Sequence, residues 1–234
     1  MKSEELADLA ADGDRYHRVN YHGIGTIADP IFTRMEAIHV VSPIRTVLEI
    51  GCTTGFRLDK ARQAFGAQCS GLEISVAAVA EGGEKFPEIN IKEGVAPADL
   101  DHWAGKQFDV IVVGHLLYLL PRSELFEFAA KVDSLLAEGG HLIVMDFMYH
   151  RDTVSSYLHQ DALKVYKGDP SGAWTWNPQY FLVHREIYSL ASNPQSQRAP
   201  SQWQTLDVLL KLSLDESYEN VQAPESVHEN ADLE

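Results

Sequence analysis

The feature that most constrains this chain is a rhythm between Thr46 and Phe147. Five short runs rich in Val, Ile and Leu alternate with amphipathic stretches: TVLEI (46–50), CSGLEI (69–74), INIKEG (89–94), FDVIVV (108–113) and HLIVMDF (141–147). Continuous apolar runs of this length predict strands buried on both faces. Helical stretches between them predict crossovers, so the segment requires an α/β fold built on a parallel sheet. In PRSELFEFAAKVDSLLAEGG, residues Leu125, Phe128, Val132, Leu135 and Leu136 recur at three- and four-residue intervals and form one apolar stripe. Gly139-Gly140 then offers a left-handed helix stop.

The flanks are less regular. Two helical pieces are expected in the first forty or so residues. The better one starts at Asp29-Pro30, an N-cap residue followed by proline, and runs to about Val41 before Ser42-Pro43. RYHRVNYHGIG (15–25) has no strong helix or strand pattern. Beyond Phe147, residues 150–166 read as helix, KGDPSGAWTWNPQY as turns and HREIYSLAS (184–192) as a short helix. Trp203 to Leu214 alternates Leu206, Val208, Leu210 and Leu212, which predicts a late strand in an antiparallel edge hairpin whose first strand the sequence does not locate.

Charge excludes some partners. Among 234 residues, 34 acidic side chains face 19 Lys and Arg, a formal charge of −15. That argues against nucleic acid or an anionic membrane surface as the main partner and leaves small molecules, cations and proteins. Seven of the acids, with no Lys or Arg, fall in Asp215 to Glu234, a polar tail expected to be disordered. No apolar run approaches the ~20 residues of a membrane span, and the first residues do not read as a secretion signal. Two cysteines, Cys52 and Cys69, make no disulfide framework. A cytoplasmic protein is expected.

The chemistry concentrates in VLEIGCTTGFRLDKA (47–61). A buried strand ends in Glu49, and a glycine loop then opens a helix, so backbone can approach a ligand at the carboxyl end of the strand. Glu73 ends the second run, where a carboxylate can take hydrogen bonds from ribose hydroxyls. A nicotinamide-dinucleotide loop is disfavoured, because its three glycine positions hold Gly51, Thr53 and Phe56 here.

In sequence, these segments resemble the class I S-adenosylmethionine (SAM)-dependent methyltransferases over about Thr46 to Phe147. VLEIGCTTG looks like the first motif of that family, GLEIS (71–75) the second and KEGVAPADL (92–100) the third. FDVIVVGHLLYLL (108–120) resembles the fourth and LLAEGGHLIVMDF (135–147) the fifth. The resemblance implies a Rossmann-like methyltransferase fold, with a mostly parallel seven-stranded sheet, helices on both faces and an antiparallel edge strand. It implies residues 1–45 as a helical lid, 46–147 as the SAM-binding core, 148–214 as substrate cover and sheet completion, and 215–234 as the acidic tail.

It also implies roles. Glu49, Gly51 and Gly55 would shape the loop under the methionine part of SAM, with Cys52 and Thr53 nearby. Glu73 and Ile74 would hold ribose and adenine, Gly94, Val95 and Ala96 would form the adenine edge, and His115 would face the methionine part. Thr53 departs from the glycine usual at its position. Base candidates at the ends of the fourth and fifth strands are His115, Tyr149 and His150, with Tyr118 and Asp146 as packing or capping alternatives. Tyr16, His17, Tyr21 and His22 read as a lid, Tyr21 and His22 as substrate contacts. Trp174, Trp176 and Tyr180 would line a substrate cover. Arg185 would hold an anionic group or pair with Glu186. No metal is expected.

The expected activity is methyl transfer from SAM, leaving S-adenosylhomocysteine (SAH), to a small-molecule acceptor, with a hydroxyl of a natural product or glycan precursor preferred. A protein or peptide methyltransferase and a non-catalytic SAM-binding partner protein are the alternatives. A homodimer stays open.

Overall fold

The computed structural model describes residues 3–20, 29–157, 160–189 and 203–219. Helices α1 (Ser3–Asn20) and α2 (Pro30–Val41) lead into β1 (Thr46–Ile50), α3 (Phe56–Phe65), β2 (Gln68–Glu73), α4 (Val76–Lys85) and β3 (Asn90–Glu93). A 3₁₀ turn (Ala98–Trp103) precedes β4 (Phe108–Gly114), α5 (Leu125–Leu135) and β5 (Leu136–Phe147). There follow β6 (Thr153–Tyr157), β7 (Gln160–Lys167), α6 (Gly172–Thr175), β8 (Tyr180–Ser189), β9 (Trp203–Lys211) and α7 (Leu214–Ser217).

The seven-stranded sheet has the order β3-β2-β1-β4-β5-β9-β8. From β3 to β5 every pair is parallel, whereas β9 runs antiparallel to both β5 and β8. Val47, Leu48, Ile50 and Val110 through Val113 are all buried, as their continuous apolar runs require. Trp103, Phe128 and Trp174 pack on one face of the sheet, while Ile31, Met35 and Leu58 pack on the other. The chain leaves β1 toward β2 and β3 and returns to β4 on the other side. The loops after β1 and β4 therefore part and leave a crevice at the carboxyl ends of the strands.

Four local expectations change. Residues 150–166 fold mainly as the β6–β7 hairpin, whose β6 residues are largely exposed, so no apolar period marks them. Residues 184–189 belong to edge strand β8, with only one neighbour and a mixed burial pattern. This is the missing first strand of the hairpin. Helix α1 continues through Arg15 to Asn20. The acidic tail begins with an ordered turn, because the Ser213 hydroxyl accepts from the Glu216 N–H while the Glu216 carboxylate accepts from the Ser213 N–H; residues 220–234 lie outside the described residues.

Candidate active site

A cavity of about 480 Å³ opens at the carboxyl ends of β1, β2 and β4. Its floor is the loop after β1. Gly51, Thr53 and Gly55 have φ of +81°, +50° and +77°, a conformation open to glycine and costly by about 1–3 kcal/mol for a branched residue such as threonine. Glu73 secures the strained turn: its carboxylate accepts from the Thr53 N–H and the Ser75 N–H, each at 2.8 Å. Burial pushes the Glu73 carboxyl above its ordinary range, against the lowering effect of these bonds. Cys52 turns away from the cavity, since its Sγ would lie 2.4 Å from a Cβ at Gly71.

A second strained residue faces the first. His115, at φ +51°, follows β4, and its N–H donates to the Met145 carbonyl at 2.7 Å. Burial, and then the charge of Arg57, push its imidazole down to about 4, so it is neutral near pH 7.

Arg57 is the residue that sequence reasoning missed. Its only signal was a position two residues beyond Gly55. From the first turn of α3 its Nε donates to Asp29 Oδ2 at 2.7 Å and its Nη1 to Glu49 Oε1. Asp29 also accepts from the Phe32 N–H, so Arg57 joins the α2 N-terminus to the end of β1. Burial raises the Glu49 carboxyl to about 7 despite the guanidinium, and Glu49 Oε2 is buried with no partner among the described residues. Thr53 Oγ1 is likewise buried without a partner.

The other end of the cavity is apolar. Leu72, Ile74, Ala78, Val95 and Ala96 line it beside Gly94. The Val95 N–H donates to Asp99 Oδ2 at 2.7 Å, and a Cβ on Gly94 would meet that Asp99 side chain at 2.8 Å. Helix α1 covers this end. Ser75 Oγ donates to Asp14 at 2.5 Å, His17 bonds Glu81 at 2.8 Å, and Asp12, Gly13 and His17 line the wall.

Of the residues expected at a site, Glu49, Gly51, Thr53, Glu73, Ile74, Gly94, Val95, Ala96 and His115 converge on the cavity, while Cys52 and Gly55 shape its floor from behind. Tyr149 and His150 do not line it; their rings pack on each other with centroids 4.5 Å apart. Asp146 is fully buried and accepts from the Tyr118 N–H at 3.2 Å and its own neighbour Phe147 at 2.6 Å, so it holds the loop after β4 in place. Tyr118 does line the cavity.

The aromatic cover is a correction. Trp174 is buried in the core beside Phe128 and donates to the Ala129 carbonyl, because α6 packs on α5 rather than over the crevice. The Tyr180 hydroxyl donates to Asp133 at 2.7 Å on that same side, and Trp176 is 73% exposed. Arg185 pairs with Asp207 and Asp169. Tyr21 and His22 lie outside the described residues.

Residues 47–140 match the family model described as a methyltransferase domain. A search of curated sequences finds no significant match. The chain is similar in fold to the Burkholderia thailandensis 1,6-didemethyltoxoflavin-N1-methyltransferase with bound 1,6-didemethyltoxoflavin and SAH, at TM-score 0.67 and 12% identity over 90% of both chains. It is similar to the N-methyltransferase NodS from Bradyrhizobium japonicum in complex with SAH, at TM-score 0.59 and 16% identity over 90% of this chain and 98% of that one. The glycopeptide N-methyltransferase MtfA gives TM-score 0.50 and 13% identity over 79% of this chain and 92% of that one. The matched segment is thus a methyltransferase domain, and the fold is the one that these SAH-bound methyltransferases share. Among the described residues, no helix is long and apolar enough to cross a membrane. Among the same residues, no group of three or more His, Cys, Asp or Glu is placed to hold a metal ion.

Proposed function

We propose that the cavity holds SAM and methylates a small-molecule acceptor through nitrogen, within a cytoplasmic protein. The observation that carries this reading is the pair of orphaned polar atoms, Glu49 Oε2 and Thr53 Oγ1, beside the strained loop. Buried polar groups without partners are costly, and a ligand bearing complementary groups relieves that cost. When bound, SAM supplies an electrophilic methyl group on a sulfonium sulfur.

The residues divide by chemistry. Glu49 Oε2 suits the amino group of the cofactor's amino-acid part, and the accessible side of Arg57 suits its carboxylate. Glu73, already fixed by two backbone N–H groups, retains lone pairs for ribose hydroxyls. Ile74, Val95 and Ala96 give adenine an apolar slot. His115, too weak a base to hold a proton near pH 7, shapes the wall beside the methionine part. Together these groups fix the methyl donor and exclude water around it.

The preference for a hydroxyl acceptor weakens, since it leaned on Tyr149 or His150 as base and neither lines the cavity. The three structural relatives named above are N-methyltransferases, which supports nitrogen. A peptide substrate lost its main support with Trp174, Trp176 and Tyr180 off the cavity.

Isothermal titration of the full chain with SAH tests the reading. Saturable binding at one site is expected, and a protein that takes up neither SAH nor SAM would sink it.

A further inference from the structure

The charges on the cavity wall restrict what can be methylated there. Among the described residues, the carboxylates that line it are Asp12, Asp29, Glu49 and Glu73. Arg15 donates to Asp12 Oδ1 through Nη2 at 2.5 Å and Nε at 3.1 Å. Asp29 accepts from Arg57 Nε at 2.7 Å and from the Phe32 N–H at 3.2 Å. Both charges are therefore matched. Glu49 and Glu73 are the groups assigned above to the ammonium and ribose of the cofactor. The stretches 21–28, 158–159 and 190–202, outside the described residues, contain no Asp or Glu.

The rest of the wall is apolar. Leu116, Leu119, Leu120 and Pro121 come from the loop after β4, Ile31 from α2 and Met145 from β5. His115 and Tyr118 line the cavity from that same loop, and both are neutral near pH 7, because burial pushes the imidazole down to about 4 and the phenol far up. An ammonium acceptor would bring its charge to a wall with no unmatched carboxylate left for it, beside a sulfonium of like sign. Burying an unpaired charge is opposed far more strongly than burying a neutral group of the same shape. His115 already registers this field, since burial and the charge of Arg57 both act against its proton. A second cationic nitrogen at that point meets the same two effects.

We propose that the acceptor of this enzyme is an uncharged, weakly basic N–H compound with an apolar frame, an aromatic amine or an N–H heterocycle, and that aliphatic ammonium compounds are excluded. The inference rests on the nitrogen-methyltransferase reading and goes beyond it by naming the class of acceptor. Weak basicity also settles where the proton goes. The nitrogen lone pair forms the bond to the methyl carbon, and the carbon–sulfur pair returns to sulfur. The methylated nitrogen is left cationic and strongly acidic, so it releases its proton to solvent water without a side chain of matched pKa. Tyr149 and His150 are then not required on the cavity wall, and they do not line it.

The test uses probes of similar shape on the full chain saturated with SAH: benzylamine, an ammonium near pH 7, against benzyl alcohol and aniline, both neutral there. Ligand-observed NMR titration should show each neutral probe binding at least about tenfold more tightly than benzylamine, a difference of about 1.4 kcal/mol. Leu119→Asp places an unmatched carboxylate on the wall and should shift that ratio about tenfold toward benzylamine. Should the variant not fold, wild type answers the same question by pH. Benzylamine should gain affinity as pH rises toward about 10, where amines lose their proton, while benzyl alcohol stays level. Benzylamine binding as tightly as the neutral probes, no binding of the neutral probes, an unchanged ratio in folded Leu119→Asp, or a benzylamine affinity indifferent to pH overturns the proposal. Failure of wild type to bind SAH would instead strike at the methyltransferase reading itself.

Discussion

Arg185 and Arg57 each sit between a pair of carboxylates, and the two clusters are finished differently. Arg185 on β8 grips Asp207 with Nε at 2.8 Å and Nη2 at 2.7 Å, reaches Asp169 with Nη1 and Nη2, and donates to Ser171 Oγ at 2.7 Å. Thr205 adds its hydroxyl to Asp207 at 2.8 Å. Every nitrogen of this guanidinium has a carboxylate partner, and Asp207 is 0% exposed. Arg57 holds Asp29 and Glu49, but Nη2 has no hydrogen-bond partner among the described residues and Glu49 Oε2 is orphaned. A closed cluster lowers the energy of the fold and binds nothing more. An open one leaves a donor and an acceptor side by side, the requirement for gripping a zwitterion.

The contrast can be broken most forcefully at Arg185. Arg185→Met strands a fully buried Asp207 and should cost about 3–5 kcal/mol in urea unfolding, with SAH affinity unchanged in the protein that remains folded. A loss of affinity without loss of stability would reverse the assignment of the two clusters. Glu73→Ala, on the open side, should weaken SAH binding by about 1–3 kcal/mol by calorimetry through loss of a buried acceptor. Wild-type affinity would discredit the ribose role.

Acidity separates the two further. Glu49 has a folded pKa of about 7 against an ordinary 4.5. The raised value means that its contribution to stability is fully present below about 4.5 and is lost as pH rises through about 7. Cofactor binding runs the other way, because an ammonium group needs the ionised carboxylate. SAH affinity should rise about tenfold from pH 6 to pH 8, and a flat profile would remove Glu49 from the ammonium contact. The smallest effect is expected at the loop. Thr53→Gly relieves a positive φ but frees the unfolded chain, for a net gain of about 1 kcal/mol or less in thermal or urea unfolding. A clear destabilisation would mean that the Thr53 side chain supports the loop rather than straining it.

How legible each part was depends on how many neighbours it has. Strands β1, β4 and β5 are buried on both faces, so their composition alone announces them. Strand β8 has one neighbour, and β6 pairs only with β7, so their residues serve solvent as well as packing and carry no clean period. The site divides in the same way. Gly51, Glu73 and Gly94 lie within short motifs whose chemistry is local. Arg57 gains its meaning only because Asp29 and Glu49 arrive at the same point.

The sequence by itself determined the parallel core, the glycine loop at its switch point and the acid that ends the second strand, because each is written in consecutive residues under one local constraint. Only the tertiary structure decided that Trp174 and Tyr180 pack into the core, and that Arg185 is closed and Arg57 open. Those outcomes depend on which distant groups share a hydrogen bond, and a partner's identity is not encoded in the residue that waits for it.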